Sequence, residues 1–530
     1  MLKTTDVLVQ CLENEGVEYV FGIIGTETLD LADSLSRSKQ IQWVNVRHEQ
    51  GAAFMADVYG RLSKKAGVCL STLGPGATNL LTGIASAHLD HSPVVALIGQ
   101  AGVERQHPES HQFVDMVRVL EPITKWSTQI KTAQSVPTTI RKAFRIAQLE
   151  KPGSVAIILP ENFSTQMIPN TPLPVTPLPN MIPSDEAIQT AKMLIEQHKK
   201  PFIVMGNGIC RHDASREIQT IIDALKVPTV HSFMAKGVLA KEHPQNYFTF
   251  GFNENDMVLS GIDEADLLIV IGFDFVEKLP KEWNKKKFPI LHIDSLPAEV
   301  HEYYPVKAEL VGDIKKILNC LSHLGLPNKS WAPAGNLKEQ LKSAYNIIDH
   351  QNLTDVLPFT IENILNHVEN MIPDHTIVIS DVGAHKVSIA RTYHPKKPNQ
   401  VIISNGLASM GISLPGAIGA KLAVPDSLVI CITGDGGALM NFAEIETAKR
   451  LGLSFMIIII NDSMLKLEVQ QMDKKFGKSY GANFQNPDFL QLAASFGIKS
   501  MRANNLVEFK KHFNETITLD EMVLIDVVLS

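Results

Sequence analysis

Cysteine is scarce in this chain. The five cysteines are scattered through 530 residues, and no two of them form a Cys-x-x-Cys pair. The spacing therefore predicts reduced cysteines in the core of a cytoplasmic protein. The five are Cys11, Cys69, Cys210, Cys320 and Cys431.

Several other features are missing. No apolar run approaches the roughly 20 residues that a membrane-spanning helix needs, and the N-terminus lacks the apolar block of a signal peptide. The net charge is −7 with no basic arm, so neither a membrane nor a nucleic acid is expected as a partner. The chain has no Gly-x-x-x-x-Gly-Lys-Ser/Thr motif, which excludes a P-loop.

The length and the spacing of the apolar runs predict several domains, because 530 residues are too many for one core. Short apolar strands alternate with helical stretches in three blocks, residues 1–165, 184–325 and 358–530. A proline-rich linker at 167–183 and a loop-rich stretch at 325–357 separate them. We expect an α/β protein with three domains, each built on a doubly wound parallel sheet.

One strand–helix–strand unit carries the most informative motif. An apolar strand at 428–433 runs into the turn 434–437, which reads Gly-Asp-Gly-Gly. A single helical stretch at about 439–451 and a second apolar strand at 455–460 follow. A right-handed crossover places two such parallel strands side by side, so their C-terminal ends lie close together.

Acidic residues stand at both of these strand ends, at Asp435 and Asp462. Two carboxylates, together with a backbone carbonyl that we assign to Met464, suit the oxygen coordination of Mg²⁺. The glycine-rich turn leaves room for a phosphate against the start of a helix. The unit therefore predicts a magnesium-diphosphate site. A dinucleotide site is supported only weakly, because the turn 206–208 (Gly-Asn-Gly) is an incomplete fingerprint.

The turn Gly434-Asp435-Gly436, together with Asn461 and Asp462, resembles the signature of thiamine-diphosphate enzymes. Further motifs in the right order extend the resemblance over nearly the whole chain, to acetolactate synthases and within them to the catabolic, flavin-free branch. The motifs lie at residues 47–53, 74–79, 110–112, 115, 122–126, 272–277, 403–411 and 444–448.

The resemblance implies a fold, an assembly and a reaction. The three blocks would be the pyrimidine-binding, central and diphosphate-binding domains. The active site would lie between two subunits, so we expect at least a homodimer, with a homotetramer favoured. The implied reaction is Mg²⁺-dependent decarboxylation of pyruvate and carboligation to a second 2-oxo acid, giving 2-acetolactate. The substrate would be a small 2-oxo acid.

Glu49 is the expected catalytic carboxylate. From the sequence alone it is a helix-start acid, stabilised by the helix dipole. The resemblance implies that Glu49 hydrogen-bonds the aminopyrimidine ring of the cofactor, and that Met410 wedges between the two cofactor rings. A satisfied loop histidine is an equal alternative for His385. The implied cofactor-binding set is Glu49, Gly76, Gly383, Ala384, His385, Gly406, Met410, Asp435, Gly436, Gly437, Asp462, Met464 and Leu465.

Four further residues concern the side of the site that would bind the acceptor substrate. The resemblance suggests that Gln112 orients the acceptor and that His111 relays a proton, with a surface histidine as the alternative. Relatives commonly carry a lysine where Glu27 stands, and Glu468 falls where related decarboxylases place an active-site glutamate. These departures keep open another thiamine-diphosphate decarboxylase, carboligase or acetyltransferase with a different substrate.

Two further alternatives and one absence complete the expectations. The chain could be a cofactor-binding protein that has lost turnover, or a nicotinamide dehydrogenase resting on the turn 206–208 alone. Both are disfavoured, the first because Glu49, Asp435 and Asp462 are all present. Flavin-bearing relatives have an arginine where Asp274 stands, so we expect no bound FAD.

Overall fold

The computed structural model describes residues 1–178, 181–252, 256–347 and 357–529. Within these ranges the chain forms three six-stranded sheets, and every pairing in them is parallel. Helices flank each sheet, which confirms the predicted α/β class with three doubly wound domains. A short antiparallel pair, Leu2–Lys3 with Met167–Ile168, ties the start of the chain to the end of the first domain.

The N-terminal sheet alternates its side chains between two apolar clusters. In its longest central strand Val94, Ala96 and Ile98 join one cluster, while Val95 and Leu97 join the other. Such alternation is the period of a strand buried on both faces. From edge to edge the strands are Gln42–Asn45, Tyr19–Gly22, Gly67–Ser71, Val94–Gln100, Ser154–Pro160 and Trp126–Gln129. The helices are Thr4–Asn14, Leu29–Ser36, Glu49–Ser63, Pro75–Asn79, Leu81–Leu89, Met116–Leu120, Val136–Gln148 and Glu161–Ser164.

The central domain has its own apolar clusters on the two faces of its sheet. Its strands run in the order Asn246–Thr249, Thr229–His231, Pro201–Met205, Leu267–Ile271, Ile290–Asp294 and Val306–Val311. Its helices are Asp185–Gln197, Gly208–Arg211, Ser215–Leu225, Leu259–Ile262, Pro280–Trp283, Ile314–Ser322 and Leu337–Ala344. The last of these lies in the stretch that was expected to be loop, where leucines at 337 and 341 pack into the core. Part of that stretch, 348–356, lies outside the described residues.

The C-terminal sheet carries the metal-loop motif between its two central strands. Its strands run in the order Val401–Ile403, Ile377–Ser380, Val429–Gly434, Met456–Asn461, Val523–Val528 and Lys499–Ala503. Its helices are Ile361–Met371, Ala384–Thr392, Ser413–Ala423, Asp435–Met440, Glu444–Arg450, Lys466–Phe476, Phe489–Ser495 and Leu506–Thr516.

The prediction of a single helix at 439–451 is wrong, because the chain forms two helices in this region. Asp435–Met440 ends at Asn441, whose side-chain amide donates to the Gly411 carbonyl at 2.7 Å. The break turns Phe442 into the core before Glu444–Arg450 begins. The apolar spacing is continuous across the break, so periodicity alone did not reveal it.

The cysteines are free, four of them buried and Cys320 half-buried. In the described ranges no helix is both long and apolar enough to cross a membrane.

A buried ion pair joins the central and C-terminal domains. Lys241 Nζ lies 2.6 Å from Glu369 Oε1, and the backbone N–H of His394 donates to Glu369 Oε2 at 2.8 Å. Burial alone would raise the pKa of Glu369, but His394 and Lys241 outweigh it and lower the pKa from 4.5 to about 2.

We therefore expect Glu369→Gln to lower the free energy of unfolding by about 3 kcal/mol at neutral pH. The folded-state pKa lies below the unfolded one, so this contribution is present above about pH 4.5 and is lost as the pH falls toward about 2. Urea unfolding at several pH values measures it. Glu339→Gln, at an exposed pair with Lys342, is the control and should change stability by less than about 0.5 kcal/mol. A pH-independent difference for Glu369→Gln would contradict the assignment.

Candidate active site

The two predicted metal carboxylates lie at one edge of the C-terminal sheet. Asp435 begins the helix that follows strand Val429–Gly434, and Asp462 follows the neighbouring parallel strand Met456–Asn461. Asp435 Oδ2 accepts the backbone N–H groups of Asp462 at 3.2 Å and Ser463 at 2.6 Å. The crossover thus brings the two acidic loops into direct contact.

The electrostatics of this pair suit a cation. Burial, and then the neighbouring charge of Asp435, raise the pKa of Asp462. Lys466 Nζ lies 3.5 Å from Asp462 Oδ2 and supplies a partial counter-charge. Two carboxylates held together in a half-buried loop repel each other, and a divalent cation would relieve that repulsion.

Residues 482–486 return to the loop after Asp462, residues 462–465, which we call the metal loop for its predicted role. Leu465 donates its N–H to the Ala482 carbonyl at 2.8 Å, and Met464 pairs with Asn483 as an isolated antiparallel bridge. Asn486 Nδ2 donates to Asp435 Oδ2 at 2.7 Å. Asn486 was not predicted from the sequence. It lies in a polar loop, and the local sequence does not show that this loop folds back onto Asp435.

A buried histidine lines the other side of the glycine-rich turn. Gly383 and Ala384 open the helix Ala384–Thr392, and His385 is 4% exposed on its first turn. A Cβ built on Gly434 would lie 3.2 Å from His385 Cε1, so the ring packs against the turn. Burial lowers the pKa of His385, which favours the neutral ring. Its Nε2 atom has no hydrogen-bond partner among the described residues, which leaves it free for a bound group.

Met410 also borders this turn. A Cβ built on Gly436 would lie 3.3 Å from Met410 Cε. Asp381, which sequence reasoning did not select, orients the loop by accepting the N–H of Gly411 at 2.9 Å and the Ser413 hydroxyl at 2.6 Å. Its own carboxylate also faces Gly437. An orphaned imidazole, a glycine turn and a carboxylate pair together fit a diphosphate with its cation.

Gly406 has a different environment from the rest of the predicted cofactor set. Its N–H donates to Asp90 Oδ1 at 2.6 Å, and a Cβ built on it would lie 2.7 Å from Leu89 Cβ. The close approach of the N-terminal domain accounts for a glycine here. Its contact with the cofactor stays a prediction.

Glu49 stands in a second group of residues, in the N-terminal domain. It is the first residue of helix Glu49–Ser63, whose N-cap His48 accepts the Gln50 N–H at 3.1 Å. Glu49 is 7% exposed, and its Oε2 accepts the Asn79 side-chain amide at 2.9 Å. A Cβ built on Gly76 would lie 3.1 Å from Glu49 Oε1, so Gly76 leaves the carboxylate its space. Asn79 is a partner that sequence reasoning quoted within a motif without giving it a role.

The predicted acceptor residues lie beside this second group. His111 and Gln112 are exposed in the single chain, and a Cβ built on Gly74 would lie 2.8 Å from the Gln112 carbonyl oxygen. Glu27 Oε2 accepts the Thr72 hydroxyl at 2.9 Å, close to the Gly74–Gly76 turn. Glu468 is exposed on helix Lys466–Phe476.

The fold and these two groups define a class of protein. A buried carboxylate at a helix start lies in one α/β domain, and a glycine-rich turn with two carboxylates lies in another. Among the described residues no hydrogen bond joins Glu49 to Asp435, Asp462 or His385 in the same chain.

Three family models match the chain in the order of its three sheets. The N-terminal TPP binding domain of thiamine pyrophosphate enzymes matches residues 2–120, their central domain matches 188–321, and their C-terminal TPP binding domain matches 381–527. The protein is a thiamine-pyrophosphate-dependent enzyme, and its cofactor is thiamine diphosphate with a divalent metal ion.

Full-length relatives narrow the class. A probable acetolactate synthase large subunit from Methanococcus aeolicus is 34% identical over 99% of this chain and 92% of its own length. The acetolactate synthase of Bacillus subtilis is 30% identical over 99% of this chain and 93% of its own. The large subunit of acetolactate synthase isozyme 1 from Escherichia coli is 31% identical over 98% and 93%. The chain belongs to the acetolactate synthase family.

The space beside Glu49 gives a direct test of the second group. Gly76 does not adopt a left-handed conformation, so Gly76→Ala adds only a methyl group that crowds Glu49 Oε1 and, at 3.0 Å, Thr72 Cγ2. We expect the Gly76→Ala protein to bind thiamine diphosphate roughly tenfold more weakly than the wild type. Calorimetric titration of the cofactor into the protein in the presence of Mg²⁺ measures the affinity. Gly153→Ala meets side chains at a similar 3.1 Å far from this group and should bind normally. Equal cofactor affinity in both variants would contradict the prediction that the cofactor binds beside Glu49 and Gly76.

Proposed function

We propose that the protein catalyses Mg²⁺-dependent decarboxylation of pyruvate and carboligation to a second 2-oxo acid, giving 2-acetolactate. The observation that carries this is the buried Glu49 carboxylate beside the Gly76 gap, in a chain whose other half holds the two-carboxylate loop. The names of the full-length relatives support the same reaction.

In this proposal the metal loop anchors the cofactor. Asp435, Asp462 and the Met464 carbonyl hold Mg²⁺, which Asn486 supports through Asp435. His385, with its unpartnered Nε2 at the glycine-rich turn, lies against the diphosphate. The remaining proposed contacts come from Gly76, Gly383, Ala384, Gly406, Met410, Gly436, Gly437 and Leu465.

Glu49 controls the proton on the cofactor's aminopyrimidine ring. Thiamine diphosphate supplies the electron sink for cleavage of the 2-oxo acid. Glu49 holds a proton at the ring nitrogen, and its low exposure keeps competing water away. The Asn79 amide fixes the orientation of its carboxylate. On the acceptor side, Gln112 orients the second substrate and His111 relays a proton.

A second candidate function has one specific observation in its favour. Glu27 accepts a hydrogen bond from the Thr72 hydroxyl, next to the space that Gly76 leaves beside Glu49. Arg105 Nη2 lies 4.0 Å from Glu27 Oε1. A carboxylate at this point would repel an anionic acceptor unless Arg105 offsets its charge. The alternative is therefore a thiamine-diphosphate carboligase, decarboxylase or acetyltransferase with another substrate.

We also propose that the enzyme binds no FAD. Asp274 is buried and paired with Arg211 and Lys151, each at 2.7 Å, so its charge is engaged within the protein. The expected assembly is a homodimer at least, with a homotetramer favoured, in the cytoplasm, where buried free thiols persist. The proposed domain limits are 1–165, 184–325 and 358–530.

Product analysis tests the reaction. Given pyruvate, thiamine diphosphate and Mg²⁺, the enzyme should release CO₂ and form 2-acetolactate, which acid converts to acetoin. Offering a mixture of 2-oxo acids and aldehydes as acceptors separates the two candidates. Product formed only with an acceptor other than pyruvate would favour the alternative and contradict acetolactate formation.

Replacing the carboxylate tests Glu49. We expect Glu49→Gln to lower kcat at least a hundredfold while cofactor affinity changes little, because the amide keeps the shape but cannot exchange the proton. Glu217→Gln, at a half-buried glutamate in the first turn of another helix, is the control and should keep full activity. A near-normal rate in Glu49→Gln would rule out the proposed role.

A further inference from the structure

The segment that leads into Glu49 is held by the C-terminal domain of the same chain. Three residues separate strand Gln42–Asn45 from helix Glu49–Ser63, and we call residues 45–48 the 45–48 turn. Glu444 Oε1 accepts the backbone N–H groups of Arg47 and His48, each at 3.0 Å. Arg450, at the other end of the same short helix, donates to the Asn45 carbonyl. Helix Glu444–Arg450 therefore holds the turn by accepting hydrogen bonds at one end and donating one at the other.

Glu444 is built into this contact. It is 1% exposed, and its second oxygen accepts the Thr447 hydroxyl at 2.7 Å. A Cβ built on Gly51 would lie 2.6 Å from Glu444 Oε1, so only a glycine in helix Glu49–Ser63 permits this approach. A buried carboxylate with three donors is satisfied, whereas its removal would leave two turn N–H groups without a partner.

The position of the contact along the chain gives it a consequence. Arg47 and His48 directly precede Glu49, and His48 is the N-cap of the helix that Glu49 begins. Side chains that exchange protons with a bound group must be fixed to within a fraction of an ångström, and a displacement of about 1 Å can cost a hundredfold in rate. The Asn79 bond orients the carboxylate only, whereas the Glu444 contact fixes the backbone that carries it.

We propose that Glu444 is a positioning residue for Glu49, setting the backbone of the 45–48 turn so that the Glu49 carboxylate meets the aminopyrimidine ring. This inference rests on the proposed role of Glu49 in proton transfer. Glu444 touches neither cofactor nor substrate and acts only through the turn. The carboxylate length matters as well as its hydrogen-bonding capacity, because both N–H groups converge on one oxygen atom.

Three variants of Glu444 separate these requirements. Glu444→Gln keeps an oxygen acceptor at the same distance from the backbone, so its kcat should stay within about threefold of the wild-type value. Glu444→Asp withdraws the carboxylate by one methylene, and Glu444→Ala removes it. We expect both to lower kcat by roughly ten- to a hundredfold, with the KM for pyruvate changed less than about threefold. Glu369→Gln, a buried carboxylate of the same domain, controls for lost stability.

Two measurements do not depend on turnover. Amide hydrogen exchange in the cofactor-free protein should show Arg47 and His48 losing protection in Glu444→Asp and Glu444→Ala, by roughly tenfold or more, and keeping it in Glu369→Gln. Hydrogen–deuterium exchange at C2 of bound thiamine diphosphate, followed by quenched-flow NMR, should slow by the same factor as kcat. Should Glu444→Ala fail to fold, Glu444→Asp carries the comparison with Glu444→Gln.

The outcomes separate this inference from the function on which it rests. Unchanged C2 exchange in Glu49→Gln would overturn the role of Glu49 and this proposal with it. Slowed exchange in Glu49→Gln together with unchanged exchange in Glu444→Asp would overturn this proposal alone. Loss of thermal stability in Glu444→Asp, with C2 exchange within twofold of the wild type, would also overturn it.

Discussion

The contact between helix Glu49–Ser63 and helix Ser413–Ala423 is the constraint on which the rest of the structure depends. A Cβ built on Gly419 would lie 2.4 Å from the Met55 carbonyl oxygen, so the two backbones nearly touch. Ten consecutive residues of the first helix, 51–60, are buried. One apolar cluster runs through both sheets by way of these helices, so the N-terminal and C-terminal domains share a core.

This shared core fixes where the functional loops can lie. Asp90 accepts the Asn405 and Gly406 N–H groups, and Arg61 donates to the Ile403 carbonyl at 2.8 Å, so the N-terminal domain holds a loop of the C-terminal one. Glu444 makes the reverse connection to the 45–48 turn. Each of the two groups is thus positioned by the opposite domain of its own chain.

The regular parts of this arrangement follow from local sequence. Parallel strands buried on both faces give continuous apolar runs, and the strands predicted at 428–433 and 455–460 are observed one residue later, at Val429–Gly434 and Met456–Asn461. The strand–turn–strand unit also predicted that Asp435 and Asp462 would meet, because a right-handed crossover leaves little choice. The family resemblance, and not spacing, selected Glu49 and Met410.

The supporting polar contacts could not be predicted in the same way. Asn486 reaches Asp435 across 51 positions of chain, and Glu444 reaches Arg47 across 397. A carboxylate or amide looks the same in sequence whether it faces solvent, a turn or another loop, because only the packing of the domains determines what it contacts. The break at Asn441 has the same origin, since its side chain answers a carbonyl in a separate loop.

The central claim is that the Glu49 group and the Asp435 group are two halves of one cofactor site, contributed by different chains. Subunit complementation tests it most directly. Glu49→Gln and Asp435→Asn chains with different affinity tags would be co-expressed, and the mixed assemblies isolated through both tags. If the halves come from different chains, each mixed dimer has one intact site in two, so activity should return to about half of the wild type. Mixed assemblies as inactive as either parent would contradict the account.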